Sequence, residues 1–216
     1  MKTGENHKRV VFCDFDGTIT KQETFVAMLN RFAPEKMKEF GKKLFQKKIT
    51  LREGVKGVVE SIPSCHYRDM IDFINDTEIR EGFEELLVFL KDADTPFIII
   101  SGGLKDSVER RLESYMEFID GIYAPSIDTS GEFLKMVSAF EEDDELVAKV
   151  RVMNLFSYDQ SISIGDGATD HKMALHSTLV FARDRLATFL SKRQARYVPW
   201  ENFLDIKKYL VHTWHE

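Results

Sequence analysis

Cysteine is scarce in this chain, and long apolar runs are missing. The 216 residues include two cysteines, Cys13 and Cys65, too few for a disulfide framework or a cysteine-ligated zinc site. No apolar stretch approaches the roughly 20 residues that a membrane-spanning helix requires. The opening residues, MKTGENHKR, lack the apolar region of a secretory signal. We therefore expect a cytoplasmic protein with no membrane partner.

An excess of positive charge is also absent. The formal net charge is −6, which argues against a nucleic-acid partner. An anionic substrate would then need local positive charge from a bound cation, a lysine or backbone N–H groups. The six histidines show no metal-ligand spacing such as HExxH, and we interpret them as surface or packing residues.

What the chain does contain is a pattern of strands alternating with helices. A hydrophobic content of 43% and a length of 216 residues suit one domain, or one domain with an insert. Short apolar runs bounded by turn residues predict buried strands at residues 10–13, 97–100, 161–164 and 179–182. This alternation predicts an α/β fold, a parallel central sheet covered by helices on both faces.

A long helical stretch interrupts this alternation after the first strand. Phe25, Met28, Leu29 and Phe32 recur at helical spacing, and further helical patterns follow without a strand signal. We interpret residues 23–76 as an inserted helical cap, and residues 1–22 and 77–216 as the catalytic core. Further on, the acidic run at residues 141–145 predicts the first turn of a helix that ends near residue 156.

Polar turns follow three of the predicted strands. They are Asp14-Phe15-Asp16-Gly17-Thr18, Ser101-Gly102-Gly103 and Gly165-Asp166-Gly167-Ala168-Thr169-Asp170. Functional groups in open α/β sheets collect beyond the carboxyl ends of the strands, so we expect the three turns to meet. Carboxylates suit a hard cation, and free N–H groups suit a phosphate. Phosphoryl transfer needs this combination, because most of its catalysis is positioning and charge neutralisation.

With these motifs in this order, the chain resembles phosphatases of the haloacid dehalogenase superfamily. The resemblance implies a Rossmann-like three-layer sandwich and hydrolysis of a small phosphorylated metabolite through an aspartyl-phosphate. Asp14 would be the nucleophile, and Asp16 the general acid and base. The cofactor would be Mg²⁺, bound by Asp14, the Asp16 carbonyl and Asp166, with Asp170 holding the outer shell.

The same resemblance implies the groups that bind the phosphoryl oxygens. Ser101 and the Gly102 N–H are expected there, together with Thr18. A lysine also belongs to the set. Lys149 has the better separation from the last motif and lies on the helix before its strand, whereas Lys135 is the alternative.

The helical insert resembles the cap of the subgroup that contains phosphoserine phosphatase. Such a cap closes over the site and recognises the leaving group of the substrate. Glu23 falls where that subgroup keeps a substrate-binding glutamate, but it is equally an ordinary acid in a first helical turn. Arg52 is a weaker candidate, since most helix arginines are solvated.

The finer motifs CDFDGTIT, IREGF, ISGG and FARD resemble the phosphatases of methionine salvage. The alternatives are a phosphoserine phosphatase or another small-metabolite phosphatase. A remote alternative is a phospho-receiver signalling domain, in which the phosphorylated aspartate follows a later strand and no helical insert is present. The oligomeric state does not follow from the sequence.

Overall fold

The fold is built on a parallel sheet, seen in a computed structural model that describes residues 6–214. Two predictions concern residues outside that range. They are the interpretation of His215 as a surface or packing residue and the absence of a secretory signal in the first five residues. Within the described range the strands are β1 (Asn6–Cys13), β2 (Phe97–Ile100), β3 (Gly121–Tyr123), β4 (Ser126–Asp128), β5 (Lys135–Val137), β6 (Ser157–Gly165), β7 (Leu179–Ala182) and β8 (Val198–Pro199). Six of them form one sheet in the order β3-β2-β1-β6-β7-β8, and each neighbouring pair is parallel.

Helices cover both faces of this sheet. They are α1 (Thr24–Phe32), α2 (Pro34–Phe45), α3 (Leu51–Val59), α4 (Tyr67–Asp72), α5 (Phe83–Asp92), α6 (Lys105–Arg111), α7 (Lys149–Met153), α8 (His171–His176), α9 (Asp184–Lys192) and α10 (Phe203–Trp214). Short 3₁₀ segments occur at Ser64–His66, Phe73–Asp76, Glu113–Phe118 and Ala168–Asp170. Within residues 6–214, no helix combines the length and apolar character needed to cross a membrane.

The first strand lies in the middle of the core, which explains its unbroken apolar run. Val11 and Cys13 pack with α5 and α10 on one face, whereas Val10 and Phe12 pack with α7 and α8 on the other. Successive side chains of a strand point to opposite faces, so residues 10–13 of β1, which are buried on both faces, include no polar position, whereas the polar residues 6–9 are exposed or half-buried. The predicted three-layer α/β fold is confirmed.

The helices between β1 and β2 have an apolar cluster of their own. A capping box of Thr50 and Glu53 starts α3, whose Val55, Val58 and Val59 are buried. The β4–β5 hairpin joins this cluster through Leu134 and Met136. The helical stretch therefore packs around a hairpin that comes from a distant part of the chain.

The prediction that residues 141–145 begin a helix is wrong. The segment is a tight turn in which the Glu145 N–H donates to the Glu142 carbonyl at 2.7 Å, and α7 begins only at Lys149. Asp143 adopts a left-handed conformation with φ of 43°, which a helix does not accommodate. The acids instead form ion pairs, since Glu145 contacts Lys172 and Glu141 contacts Lys56.

Candidate active site

The site lies where three neighbouring strands end. β1 is flanked by β2 and β6, and the three strands are parallel, so their carboxyl ends share one edge of the sheet. Asp14 follows the last residue of β1, Ser101 follows β2 and Asp166 follows β6. The predicted meeting of these three turns is therefore observed.

A buried acidic cluster surrounds one lysine. Carboxylate oxygens of Asp14, Asp166 and Asp170 lie within 4.8 Å of one another. The Lys149 ammonium donates to Asp14 Oδ1 at 2.6 Å and to Asp170 Oδ1 at 2.7 Å, with 2% of its side chain exposed. Lys135, the alternative, is exposed on β5. The geometry brings Lys149, and not Lys135, into the site.

The loop after β6 is shaped around the Asp170 carboxylate. Asp170 Oδ2 accepts from the N–H groups of Asp166 at 3.1 Å and Gly167 at 2.9 Å. A Cβ on Gly165 would lie 2.7 Å from Asp170 Cγ, so only glycine fits there. Asp170 thus ties the backbone of its own motif to Lys149, and through it to Asp14.

The loop after β1 reaches over to Asp166. Gly17 has φ of +80°, and a Cβ at this position would lie 2.7 Å from Asp166 Oδ2. Thr18 Oγ1 donates to Asp166 Oδ1 at 2.8 Å. Thr18 was predicted among the phosphate-binding groups, and that role stays a prediction; in the structure its hydroxyl orients a carboxylate. The glycine of the motif is required both for the turn and for this close approach.

Asp16 is held from two directions. Its Oδ1 accepts from the Thr24 hydroxyl and, at 3.1 Å, from the Phe25 N–H, both at the start of α1. On the opposite side, a Cβ on Gly103 would lie 2.8 Å from Asp16 Oδ2 and 3.3 Å from Ser101 Oγ. Asp16 and Ser101 therefore flank the same glycine. Space around Gly102 is open, with no atom within 4 Å of its hypothetical Cβ.

Burial and crowding of like charges dominate the electrostatics of the site. Burial, followed by the charge of Asp170, raises the pKa of Asp166 to about 6. The same two causes raise the pKa of Asp14 well above its usual range, although Lys149 opposes them. Burial raises the pKa of Asp16, against the hydrogen bonds from Thr24 and Phe25. One ammonium does not balance these carboxylates.

Glu23 borders a cavity of about 240 Å³ next to this cluster. Gly17 and Asp166 line the same cavity, and its rim is basic, with Lys21, Arg80, Arg183 and Arg185 beside Asp184. Burial, then the charges of Asp166 and Asp16, raise the pKa of Glu23 to about 7. Glu23 is thus placed at the site, whereas Arg52 lies on α3 and is not part of the cavity lining.

Three residues at the site were not anticipated from the sequence. Thr24 binds Asp16, Gly103 makes room between Asp16 and Ser101, and Arg80 binds the backbone of the β1 loop. Gly103 had a signal, since the turn contains two glycines in a row. Arg80 lies in the IREGF motif, but the motif gave no indication of its role, and Thr24 had no signal at all, because each role depends on a contact between separate segments.

The sequence comparisons define the class of protein. The family model for haloacid dehalogenase-like hydrolases matches residues 11–175, and this chain belongs to that family. It is 43% identical over 205 residues to a protein of Microcystis aeruginosa named 2-hydroxy-3-keto-5-methylthiopentenyl-1-phosphate phosphatase, a match that spans 94% of this chain and 98% of the relative. A Bacillus cereus (strain B4264) protein of the same name is 34% identical, and the match spans 91% of this chain and 93% of the relative.

Solved structures show the same fold. A phosphoserine phosphatase captured as a phospho-aspartyl intermediate analogue superposes with a TM-score of 0.69 and 21% identity, over 95% of this chain and 99% of its own. A substrate-bound phosphoserine phosphatase gives the same TM-score at 20% identity. The chain is an enzyme of the phosphatase type that acts on a small phosphorylated substrate.

The donor set at the site fits a hard divalent cation. The three clustered residues Asp14, Asp166 and Asp170 offer only carboxylate oxygens, the ligands that Mg²⁺ prefers. Burial raises the pKa values of Asp14 and Asp166, and repulsion from the Asp170 carboxylate raises them further, against the opposing charge of Lys149. A second cation beside Lys149 relieves that repulsion, so the residues present suit the metal that this family generally uses.

Mg²⁺ is therefore expected to stabilise the protein against heat. A ligand at about 100 times its Kd adds about 2.7 kcal/mol to the free energy of unfolding. For a chain of this length, that corresponds to a rise in Tm of about 5–10 °C. Differential scanning calorimetry with and without Mg²⁺ measures the shift, and Asp166→Asn serves as the control that should abolish it. An equal rise in both proteins would contradict a site at Asp166.

Proposed function

We propose that this chain is a Mg²⁺-dependent 2-hydroxy-3-keto-5-methylthiopentenyl-1-phosphate phosphatase of methionine salvage. The observation that carries the proposal is 43% identity along nearly the full length of both chains to a relative of that name. The site supports it, because a carboxylate pair, a hydroxyl and a lysine converge as phosphomonoester hydrolysis requires. The two cysteines are free thiols, which suits the cytoplasmic location that we assign.

In this proposal, hydrolysis takes place in two steps. Asp14 attacks phosphorus, so that a carboxylate–phosphorus bond forms as the bond to the leaving oxygen breaks. Asp16 gives its proton to that oxygen, and its raised pKa favours the protonated form needed at this moment. Asp16 then accepts a proton from water as the water attacks the aspartyl-phosphate, which releases phosphate and restores Asp14.

The remaining residues position and neutralise the phosphoryl group. We assign Lys149, Ser101 and the Gly102 N–H to its oxygens, since Lys149 contacts the nucleophile and the space beside Gly102 is open. Thr18 is assigned to Asp166, to which its hydroxyl donates.

Asp14, the Asp16 carbonyl and Asp166 would hold Mg²⁺, and Asp170 would support them from the outer shell. When bound, the cation supplies positive charge that offsets the charge of the phosphoryl group. This assignment makes Asp14 both a ligand and the nucleophile, as the family resemblance implies.

We propose residues 23–76 as a cap that covers the site. These residues follow the β1 loop and precede α5, and a bridge between Thr20 and Ile79 joins the chain on either side of them. The β4–β5 hairpin packs against their helices. The cap is coupled to the chemistry, because Thr24 and the Phe25 N–H bind the Asp16 carboxylate. Glu23, at the cavity beside Asp166, is the residue that we assign to the leaving group.

Phosphoserine phosphatase is the second candidate, favoured by the solved structures with this fold. A comparison of kcat/KM for several small phosphomonoesters distinguishes the two candidates. We expect kcat/KM for the salvage intermediate to exceed that for phosphoserine by at least about 10³-fold, which corresponds to about 4 kcal/mol of differential transition-state binding. Phosphate release from purified protein with Mg²⁺ measures both values. A preference for phosphoserine would overturn the proposal, and p-nitrophenyl phosphate controls for an inactive preparation.

A further inference from the structure

One buried arginine binds four consecutive carbonyls of the loop that carries the nucleophile. The Arg80 guanidinium donates to the carbonyls of Gly17 at 2.7 Å, Thr18 at 2.9 Å and Thr20 at 3.3 Å. Its backbone N–H donates to the Ile19 carbonyl at 2.8 Å. Residues 17–20 thus present four acceptors to a single residue that lies 60 positions further along the chain.

Arg80 is itself held firmly. Its side chain is 9% exposed, and its guanidinium lies 5.4 Å from the ring centre of Trp200. The main chains on either side pair as a short antiparallel ladder, with a bridge between Thr20 and Ile79 and a Lys21 N–H that donates to the Glu78 carbonyl at 3.0 Å. A fork of N–H donors fixed in this way restrains the loop more than a single flexible contact does.

The restrained loop is the one that positions Asp166. Thr18 Oγ1 donates to Asp166 Oδ1, and Gly17 lies so close to Asp166 that a Cβ would not fit. A shift of residues 17 and 18 by about 1 Å would therefore break the Thr18 bond or press the backbone against this carboxylate. The same loop begins with Asp14 and Asp16, so its displacement moves both acids as well.

We propose that Arg80 is a positioning residue for the phosphatase reaction: by binding the carbonyls of residues 17–20, it holds Asp14, Asp16 and the Thr18–Asp166 contact in their reactive arrangement. The proposal rests on the proposed function for its kinetic consequence, but its structural consequence concerns Mg²⁺ binding and can be measured without turnover.

A guanidinium suits this position, and an ammonium does not. Four side-chain contacts extend from one rigid fork to carbonyls in different directions, three to the loop and one to Glu201 at 3.5 Å, whereas the donors of a lysine all lie on one nitrogen. Arg80→Lys should therefore keep the charge but lose part of the restraint. Arg80→Ala should keep the backbone bond to Ile19 but lose every side-chain contact with the loop, which leaves buried carbonyls without these donors.

The experiment measures kcat, KM and Mg²⁺ affinity for wild type, Arg80→Lys and Arg80→Ala. With p-nitrophenyl phosphate, we expect kcat of Arg80→Ala to fall by about 100-fold with little change in KM, as for a misplacement of about 1 Å. Titration calorimetry with Mg²⁺ alone should show Kd weakened by about tenfold, because a contact that supports a ligand is lost. Arg80→Lys should be intermediate in both, and guanidinium ion should restore part of the activity of Arg80→Ala.

Arg111 supplies the matched control. It is a half-buried arginine whose Nε donates to the Thr77 carbonyl at 2.6 Å, outside the loop of residues 14–20. Arg111→Ala should keep wild-type kcat and Mg²⁺ affinity, and guanidinium ion should not activate it. If folded Arg80→Ala matched Arg111→Ala in both quantities, Arg80 would have no positioning role. Should Arg80→Ala fail to fold, wild-type values in Arg80→Lys would overturn the proposal. If the wild-type protein failed to hydrolyse p-nitrophenyl phosphate, the result would count against the proposed function alone.

Discussion

Asp14→Asn is expected to lower kcat by at least about 10⁴-fold, because removing a nucleophile eliminates the covalent step that the other groups assist. Asp14 is the carboxylate in contact with Lys149, at 2.6 Å, and it directly follows the central strand of the sheet. An amide of the same size preserves the packing there but is a poor nucleophile. Phosphate release from p-nitrophenyl phosphate with Mg²⁺ measures the loss.

The fold of this variant is expected to survive. Asp14 is destabilised in its charged form by burial and by Asp170, so a neutral amide removes repulsion, and Lys149 keeps Asp170 as its partner. Circular dichroism and the melting temperature provide the control. A folded Asp14→Asn with normal turnover would exclude Asp14 as the nucleophile. Acid-quenched wild type incubated with labelled substrate should retain labelled phosphate, whereas the variant should not.

The part of the site that follows from local sequence could be predicted. Buried parallel strands appear in the sequence as unbroken apolar runs. The residue after each run lies at the carboxyl end of its strand, and this placement does not depend on how the rest of the chain packs. That is why Asp14, Ser101 and Asp166 could be placed from their positions after residues 13, 100 and 165. Lys149 could be predicted from its separation from the last motif.

The contacts made between distant segments could not be predicted. The Thr18 hydroxyl donates to Asp166, 148 positions away, although the motif alone suggested a phosphate ligand. Arg80 binds residues 17–20, which precede it by 60 positions or more. No periodicity marks such pairs, since they depend on how whole segments pack. The helix predicted to begin at residues 141–145 is absent for a related reason, because these acids pair with Lys56 and Lys172 from distant segments, which the local sequence does not reveal.

Lys149→Met is expected to produce the second large effect, a loss of both kcat and the free energy of unfolding. The ammonium is buried between Asp14 and Asp170, so its removal leaves carboxylates without their cation. Breaking a buried ion pair in this way costs about 3–5 kcal/mol in the free energy of unfolding. Loss of a donor to the phosphoryl group should lower kcat by about 10²–10³-fold. Urea denaturation and p-nitrophenyl phosphate turnover measure the two effects.

The stability loss should depend on pH with a definite sign. Burial lowers the pKa of Lys149, but Asp14 and Asp170 raise it more, so the lysine stays charged throughout the neutral range. Without it, the pKa of Asp14 rises further above the value in the unfolded chain, and the folded state binds the proton more tightly. The free energy of unfolding of the variant then increases relative to wild type as the pH falls through the folded pKa. A difference in the free energy of unfolding between wild type and variant that grew as the pH fell would contradict this expectation.

A double variant separates the electrostatic role of Lys149 from its catalytic role. Asp170→Asn combined with Lys149→Met removes one of the carboxylates that the lysine had neutralised, while the asparagine oxygen can still accept from the Asp166 or Gly167 N–H. We expect part of the lost stability to return, because the remaining charge is less crowded. Activity should stay low, since the phosphoryl group still lacks its ammonium. Recovery of kcat along with stability would mean that Lys149 supports the fold and takes no direct part in the chemistry.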